Sequence, residues 1–204
     1  FADQLSERAR RAGAVNTLSN KDGIIIGDNT DGCGLLADLQ SNMQWPIEHG
    51  NILVLGAGGA VRGILEPLLL AKPASIVIAN RTLEKAEQLS RAFKPLANDA
   101  GCKLSARQYD ELTESFDIII NGTSASLSGD ALPLANECFN DAYCYDMMYA
   151  KGPTPFLQLA AKQGARKIAD GLGMLVEQAA ESFRLWRNVK PDTRAVIQAI
   201  RKSL

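Results

Sequence analysis

N-I-L-V-L-G-A-G-G-A-V, residues 51–61, reads as a strand, a glycine turn and the start of a helix. The apolar run 52–55 suits a strand buried on both faces of a parallel sheet, and an apolar-periodic segment follows from Ala60. Gly56 can take the backbone angles of a sharp turn, and Gly58 lets a pyrophosphate approach the main chain. Free N–H groups at the helix start favour its negative charge. The expectation is a dinucleotide or another phosphate-bearing ligand. Taken alone, the turn also fits a plain strand-to-helix connection, because Val61 stands at the third small position of the dinucleotide fingerprint.

Outward from this turn the chain alternates strand and helix, the pattern of an α/β, Rossmann-like, doubly wound parallel sheet. Strands are expected over 75–79, 103–107, 116–120, 143–146 and 166–169. Helix 60–70 contains Pro67, which removes one ladder bond to Gly63 and predicts a kink. Thr82 can cap a helix running to about Phe93, and Thr154 followed by Pro155 opens another to about Lys162. Ligands of such sheets sit beyond the carboxyl ends of strands. The segments 80–82, 121–124 and 147–149 should therefore converge on the crevice of the glycine turn.

Upstream, residues 2–12 read as a helix that Gly13 ends, and residues 14–28 as a hairpin turning at Asn20, Asp22 and Gly23. Next comes D-N-T-D-G, residues 28–32. Its polar side chains either satisfy backbone groups through Asx-type hydrogen bonds or project the Asp31 carboxylate into a cleft. A helix is expected over 34–39. Downstream, Leu172, Leu175, Val176, Ala179, Ala180, Phe183 and Trp186 recur at helical spacing. Gln178 falls with Gly171 and Met174 on the less apolar side of that helix, and a last helix begins near Thr193.

The 204 residues are 46% hydrophobic, enough to bury a true core, and 22 Lys+Arg nearly balance 23 Asp+Glu. No bulk charge points to nucleic acid, and no apolar run reaches the roughly 18 residues of a membrane span. With no signal segment at its start, the chain is expected to be cytoplasmic. Cys33, Cys102, Cys138 and Cys144 form no C-x-x-C pair, and the single His49 cannot complete a usual zinc set, so reduced structural thiols and no metal are expected.

The end of the second strand of the αβ unit, about 20 residues past the glycine turn, separates the two nicotinamide dinucleotides. An acid there would bind the ribose hydroxyls of NAD. This chain has Asn80, Arg81 and Thr82, with Lys85 a helical turn after Arg81, a set suited to a 2′-phosphate. NADP is favoured.

G-A-V-N-T, D-N-T-D-G, G-A-G-G-A, N-R-T, N-G-T-S, Y-D-M-M-Y and D-G-L-G-M-L-V-E-Q-A-A stand in that order along the chain. Together they resemble the NADP-linked shikimate dehydrogenase family of aromatic amino-acid (chorismate) biosynthesis, over nearly the whole length. The family's turn is itself G-x-G-G-A, so Val61 ceases to count against cofactor binding. The resemblance implies reversible reduction of 3-dehydroshikimate to shikimate by NADPH. It implies that Asn16 and Asp31 bind substrate hydroxyls, and that Asp31 is the carboxylate of a catalytic pair. Gly56, Ala57, Gly58, Gly59 and Ala60 would form the pyrophosphate turn, and Asn80, Arg81, Thr82 and Lys85 the 2′-phosphate site. Thr123, Ser124, Met147 and Gly171 would lie along the cofactor toward the nicotinamide, with Tyr149 and Gln178 facing the substrate.

In the family the lysine partner of the carboxylate lies in an N-V-T-x-P-x-K motif upstream of the position matching Phe1. No lysine of the 204 matches it: Lys21 is in the hairpin turn and Lys151 follows the fifth strand. The chain is therefore expected to be an N-terminally truncated, poorly active piece. Residues 1–32 and 171–204 would be remnants of the substrate domain and 33–170 the NADP-binding domain, with exposed sheet edge and apolar surface inviting homodimer formation. A stand-alone NADP-binding module without redox chemistry, and a quinate/shikimate dehydrogenase using NAD, remain as alternatives.

Overall fold

The computed structural model describes residues 1–123 and 132–204; Ser124 lies outside the described residues. Two sheets organise the chain. The larger takes strands β4 (Asn51–Leu55), β5 (Ser75–Ala79), β6 (Lys103–Arg107), β7 (Ile118–Asn121), β8 (Tyr143–Asp146) and β9 (Lys167–Asp170) in the order β6-β5-β4-β7-β8-β9, every pair parallel. The smaller joins β1 (Gln4–Leu5), β2 (Thr17–Lys21) and β3 (Ile24–Asp28) in the order β1-β3-β2. Helices among the described residues are α1 (Glu7–Ala12), α2 (Asp31–Ala37), α3 (Gly59–Leu70), α4 (Leu83–Asp99), α5 (Pro155–Lys162), α6 (Leu172–Arg187) and α7 (Arg194–Ser203). A π-helical turn, Asp38–Asn42, extends α2.

Alternation along the strands builds two cores. Ile52, Val54, Ile76, Ile78, Ile118, Ile120 and Tyr145 face Val61, Ile64 and Leu65 of α3, Leu89 and Phe93 of α4, and Leu35 of α2. Leu53, Leu55, Val77, Ile119 and Cys144 point the other way, onto Phe139, Phe156 and Leu157. Burying each such side chain stabilises the fold by roughly 1.5–3 kcal/mol, which fixes strand register because a one-residue slip would exchange the two faces. The hairpin turns at Asp22 (φ 54°) and Gly23 (φ 89°), with the Asn20 side chain accepting from Gly23 N at 3.0 Å.

Four local expectations change. Helix α1 begins at Glu7, not residue 2: the Ser6 hydroxyl caps it by accepting from Ala9 N, and Asp3 N donates instead to Ile25 O, giving a short parallel strand. Helix α2 starts at Asp31, three residues earlier than expected. Helix α4 runs through Pro95 to Asp99, and Thr82 precedes it without a side-chain capping bond.

The fourth change concerns α6. Leu172, Val176 and Ala180 of the expected stripe are buried, but Leu175, Phe183 and Trp186 are exposed and Gly173, Met174, Glu177 and Ser182 share the inward face, which is more polar than the stripe implied. The polar members are buried because each has a partner. The Trp186 indole donates to Leu18 O at 2.9 Å, on the outer strand of the small sheet. Among the described residues no helix is long and apolar enough to cross a membrane.

Candidate functional site

The glycine turn lies where the sheet's carboxyl ends meet. Gly56 adopts φ 104° and donates to Ala79 O at 2.7 Å, binding the turn to the end of β5, while Gly122 N donates to Leu55 O and Met147 N to Asn121 O, both at 2.9 Å. The ends of β4, β5, β7 and β8 are thus adjacent, as the alternating pattern implied. A Cβ on Gly58 or Gly59 would meet nothing within 4 Å, and Gly58 precedes α3 with no side chain to cap it. That leaves an open approach to helix N–H groups at the positive end of the helix dipole, which suits a pyrophosphate. Val61 is fully buried, and a Cβ on Gly122 would lie 2.5 Å from its Cγ2. The third small residue of the fingerprint has moved from the helix to the facing strand end.

Arg81, Thr82 and Lys85 are exposed at the start of α4, and the Asn80 amide donates to Thr82 O at 2.8 Å, shaping the loop. Beneath it lies buried Tyr109, whose hydroxyl burial pushes up in pKa while neighbouring Arg81 pulls it down. Behind the turn, Asn121 and Asp146 are fully buried and joined at 3.1 Å; Asn121 also accepts from Thr123 N, and Asp146 from Met148 N and the Thr154 hydroxyl. These bonds fix Thr123 and Met148 at the ends of β7 and β8.

Opposite stands a polar cluster drawn from three elements. The Asn16 amide nitrogen donates to Asp31 at 2.8 Å and to Gln178 at 3.3 Å, while its oxygen accepts from Thr30 N at 3.0 Å and the Thr17 hydroxyl at 2.9 Å. The Thr30 hydroxyl also reaches Gln178 at 3.2 Å, and Ser182 lies 2.6 Å from Thr17. Asn16, Asp31 and Gln178, far apart in sequence, are therefore one constellation. Thr17, Thr30 and Ser182 were not anticipated; Thr30 lay within the quoted D-N-T-D-G, whereas nothing local marks Ser182. Asn29 accepts from Asp31 N at 3.1 Å, so the Asx-type bonds and the projected carboxylate coexist. Tyr149 is exposed just beyond β8.

Two backbone approaches couple the cluster to the turn. A Cβ on Gly32 would lie 2.5 Å from Gly63 O and 2.6 Å from Pro67 Cγ, so α2 rests directly on α3 beside Asp31. Proline at 67 has no N–H for the Gly63 carbonyl, which leaves that oxygen free to face the Gly32 Cα. At the other end, a Cβ on Gly171 would fall on the Met147 carbonyl.

Arg8 supports the cluster from below, forking onto both Asp28 oxygens at 2.6 and 2.9 Å and reaching Glu181 at 3.1 Å. Burial pushes the Asp28 carboxyl up, but the bonds from Arg8 and Ser6 outweigh it and hold the group below its ordinary value. Glu181 is held low by Arg184, against burial, with help from Arg8. Both shifts are depressions, so their stabilisation is complete above about pH 5 and is lost as pH falls through the folded-state values. The urea midpoint of Arg8→Met should trail the unsubstituted protein at pH 7, and the gap should close as pH is lowered toward about 3. A pH-independent gap would mean that Arg8 acts through packing alone.

The family pattern described as "Shikimate / quinate 5-dehydrogenase" matches residues 38–128, and "Shikimate 5'-dehydrogenase C-terminal domain" matches residues 171–201. A curated relative, shikimate dehydrogenase (NADP(+)) of Cellvibrio japonicus, is 54% identical over 100% of this chain and 73% of its own length. Among solved structures, an Ael1 enzyme from Pseudomonas putida superposes with a TM-score of 0.89 at 49% identity, covering 97% of this chain and 72% of that one. Shikimate 5-dehydrogenase from Thermus thermophilus, solved in complex with NADP(H) and shikimate, gives 0.83 at 32% identity, covering 100% and 73%.

Proposed function

The chain belongs to the shikimate dehydrogenase family, and on that premise we propose that it binds NADP at the glycine turn and shikimate or 3-dehydroshikimate at the Asn16–Asp31–Gln178 cluster. The observation that carries the reading is the meeting of these three polar side chains beside a glycine turn whose Gly58 and Gly59 face open space. In this reading Gly56 to Ala60 bind pyrophosphate, Asn80, Arg81, Thr82 and Lys85 bind the 2′-phosphate, and Thr123, Ser124, Met147 and Gly171 follow the cofactor toward its nicotinamide. NADPH supplies a hydride when bound.

The chain's own part is to orient. Asn16 and Gln178 donate to or accept from substrate hydroxyls, Tyr149 closes on the ring from the end of β8, and the Asp31 carboxylate holds the alcohol whose proton moves as the ketone is reduced. Residues 1–32 with 171–204 then form the substrate side and 33–170 the cofactor side; α2 and α6 pack together across that division. In this reading the protein works in the cytoplasm, and self-association as a homodimer is supported by the exposed Phe183, Trp186 and Val189.

We further infer that the 204 residues assayed alone turn over poorly, since none of their lysines stands in an N-V-T-x-P-x-K setting. Titration with NADPH and with shikimate, each separately, should show saturable binding of both, and shikimate mixed with oxidised NADP should give only slow NADP reduction. Failure to bind shikimate would overturn the substrate assignment, and turnover at the rate of a longer relative would overturn the need for that lysine.

A further inference from the structure

Helix α6 has an unusual start. Its first-turn N–H groups need acceptors, and a side chain at the preceding residue usually supplies one. That residue is Gly171, and it cannot carry a side chain because a Cβ would fall on the Met147 carbonyl. The acceptors come instead from neighbouring strands. Asp170 at the end of β9 accepts from Leu172 N at 3.3 Å, and the Tyr145 hydroxyl of β8 accepts from Met174 N at 3.3 Å.

That hydroxyl is itself fixed. It donates to Asp38 at 2.7 Å; the other Asp38 oxygen accepts from the Asn42 amide at 2.9 Å. The Asn42 amide also donates to buried Glu177 on α6 at 3.1 Å, and the Thr193 hydroxyl donates to the same carboxylate oxygen. Tyr145 and Asp38 are fully buried, and Trp45 sits edge-on to the Tyr145 ring at 6.1 Å. Gly173 leaves room for the Asp38 carboxyl, which occupies the place its Cβ would take. The π-helical turn at Asp38–Asn42 places both residues toward α6.

We propose that Tyr145 and Asp38 form a helix cap supplied from outside α6, whose role is to position Gln178 for the substrate. Gln178 lies one turn beyond Met174, so rotation or slippage of the first turn moves it away from Asn16 and Thr30, which it now reaches at 3.3 and 3.2 Å. The glycine turn belongs to other elements and is insulated from that movement. The proposal rests on the substrate assignment above.

Tyr145→Phe keeps the ring and removes the hydroxyl. It should weaken shikimate binding about tenfold and leave NADPH binding within about twofold, because a misplaced orienting group costs substrate alignment and not cofactor phosphate contacts. Asp38→Asn, with Tyr145 intact, keeps an acceptor for the hydroxyl and should hold shikimate affinity within about threefold of the unsubstituted protein. Ile47→Val, in the same core, is the packing control and should leave the ratio of the two affinities unchanged. Equal loss of both affinities in Tyr145→Phe, or no loss of either, overturns the proposal.

Two readouts need no ligand. Amide exchange at Met174 should accelerate at least about tenfold in Tyr145→Phe, and the Gln178 side-chain amide resonance should move. If the unsubstituted protein binds no shikimate, the substrate assignment fails, while unchanged exchange and an unmoved Gln178 resonance would separately sink the cap.

Discussion

Gly171→Ala is expected to lower stability by about 2–3 kcal/mol or more and to abolish measurable shikimate binding. The added methyl would fall on the Met147 carbonyl, a backbone atom that no rotamer change can move aside. Relief requires the end of β8 and the start of α6 to separate, yet Gly171 N donates to Met148 O at 3.0 Å and Met147 N to Asn121 O at 2.9 Å across that seam. Separation would break these bonds and carry Gln178 away from Asn16. Urea unfolding followed by tryptophan fluorescence, with shikimate titration on the folded fraction, checks both parts. Gly58→Ala is the control: its φ of −85° suits alanine and its Cβ meets open space, so it should fold normally and lose NADPH affinity alone. A Gly171→Ala protein as stable as the unsubstituted one would show that the seam yields easily.

Arg81→Ala is expected to weaken NADP binding by about one to two decades while leaving NAD nearly untouched, because a hydrogen bond to a charged group contributes about 1.5–3 kcal/mol. Arg81 is exposed and makes no ion pair among the described residues, so its guanidinium is available to a phosphate without first breaking a salt bridge. Its loop is held by Asn80 bonding to Thr82 O and by Tyr109 beneath, so the substitution should not spread. Thr82 lacks a capping bond, which leaves its hydroxyl for the same ligand. Competitive titration with NADP and NAD on both proteins decides it. An equal drop for the two dinucleotides would remove Arg81 from the 2′-phosphate site.

The parallel sheet was legible because its strands are apolar on both faces, and the sequence shows this as unbroken runs such as 52–55 and 118–120. The orientation of α6 was legible only in part, through Leu172, Val176 and Ala180. Periodicity scores side chains by polarity, and here the buried side also takes in Gly173, which makes room for Asp38, and Glu177 and Ser182, which are satisfied by Thr193 and Thr17. Those partners are long-range, so no window along the helix contains them. The same limit hid β1, made by backbone pairing with β3, and Tyr145, which reads as an ordinary aromatic in a strand. Asp31 stood out as a turn carboxylate with two readings. The roles of Asn16 and Tyr149 came from family likeness and not from any pattern of spacing, whereas Gln178 also had its helix face as support.

The bare contact of Gly32 with the Gly63 carbonyl has a consequence for anyone re-engineering the cofactor preference. The carboxylate-bearing helix is indexed on the Gly63 carbonyl and the Pro67 ring of the cofactor helix. No residue of 80–85 enters that contact, so exchanging Arg81 or Lys85 should leave the spacing between Asp31 and the turn unchanged. By the same logic Gly32 and Pro67 form a pair to be inherited together: an alanine at 32 would meet the carbonyl, and a residue with an N–H at 67 would reclaim it for the helix.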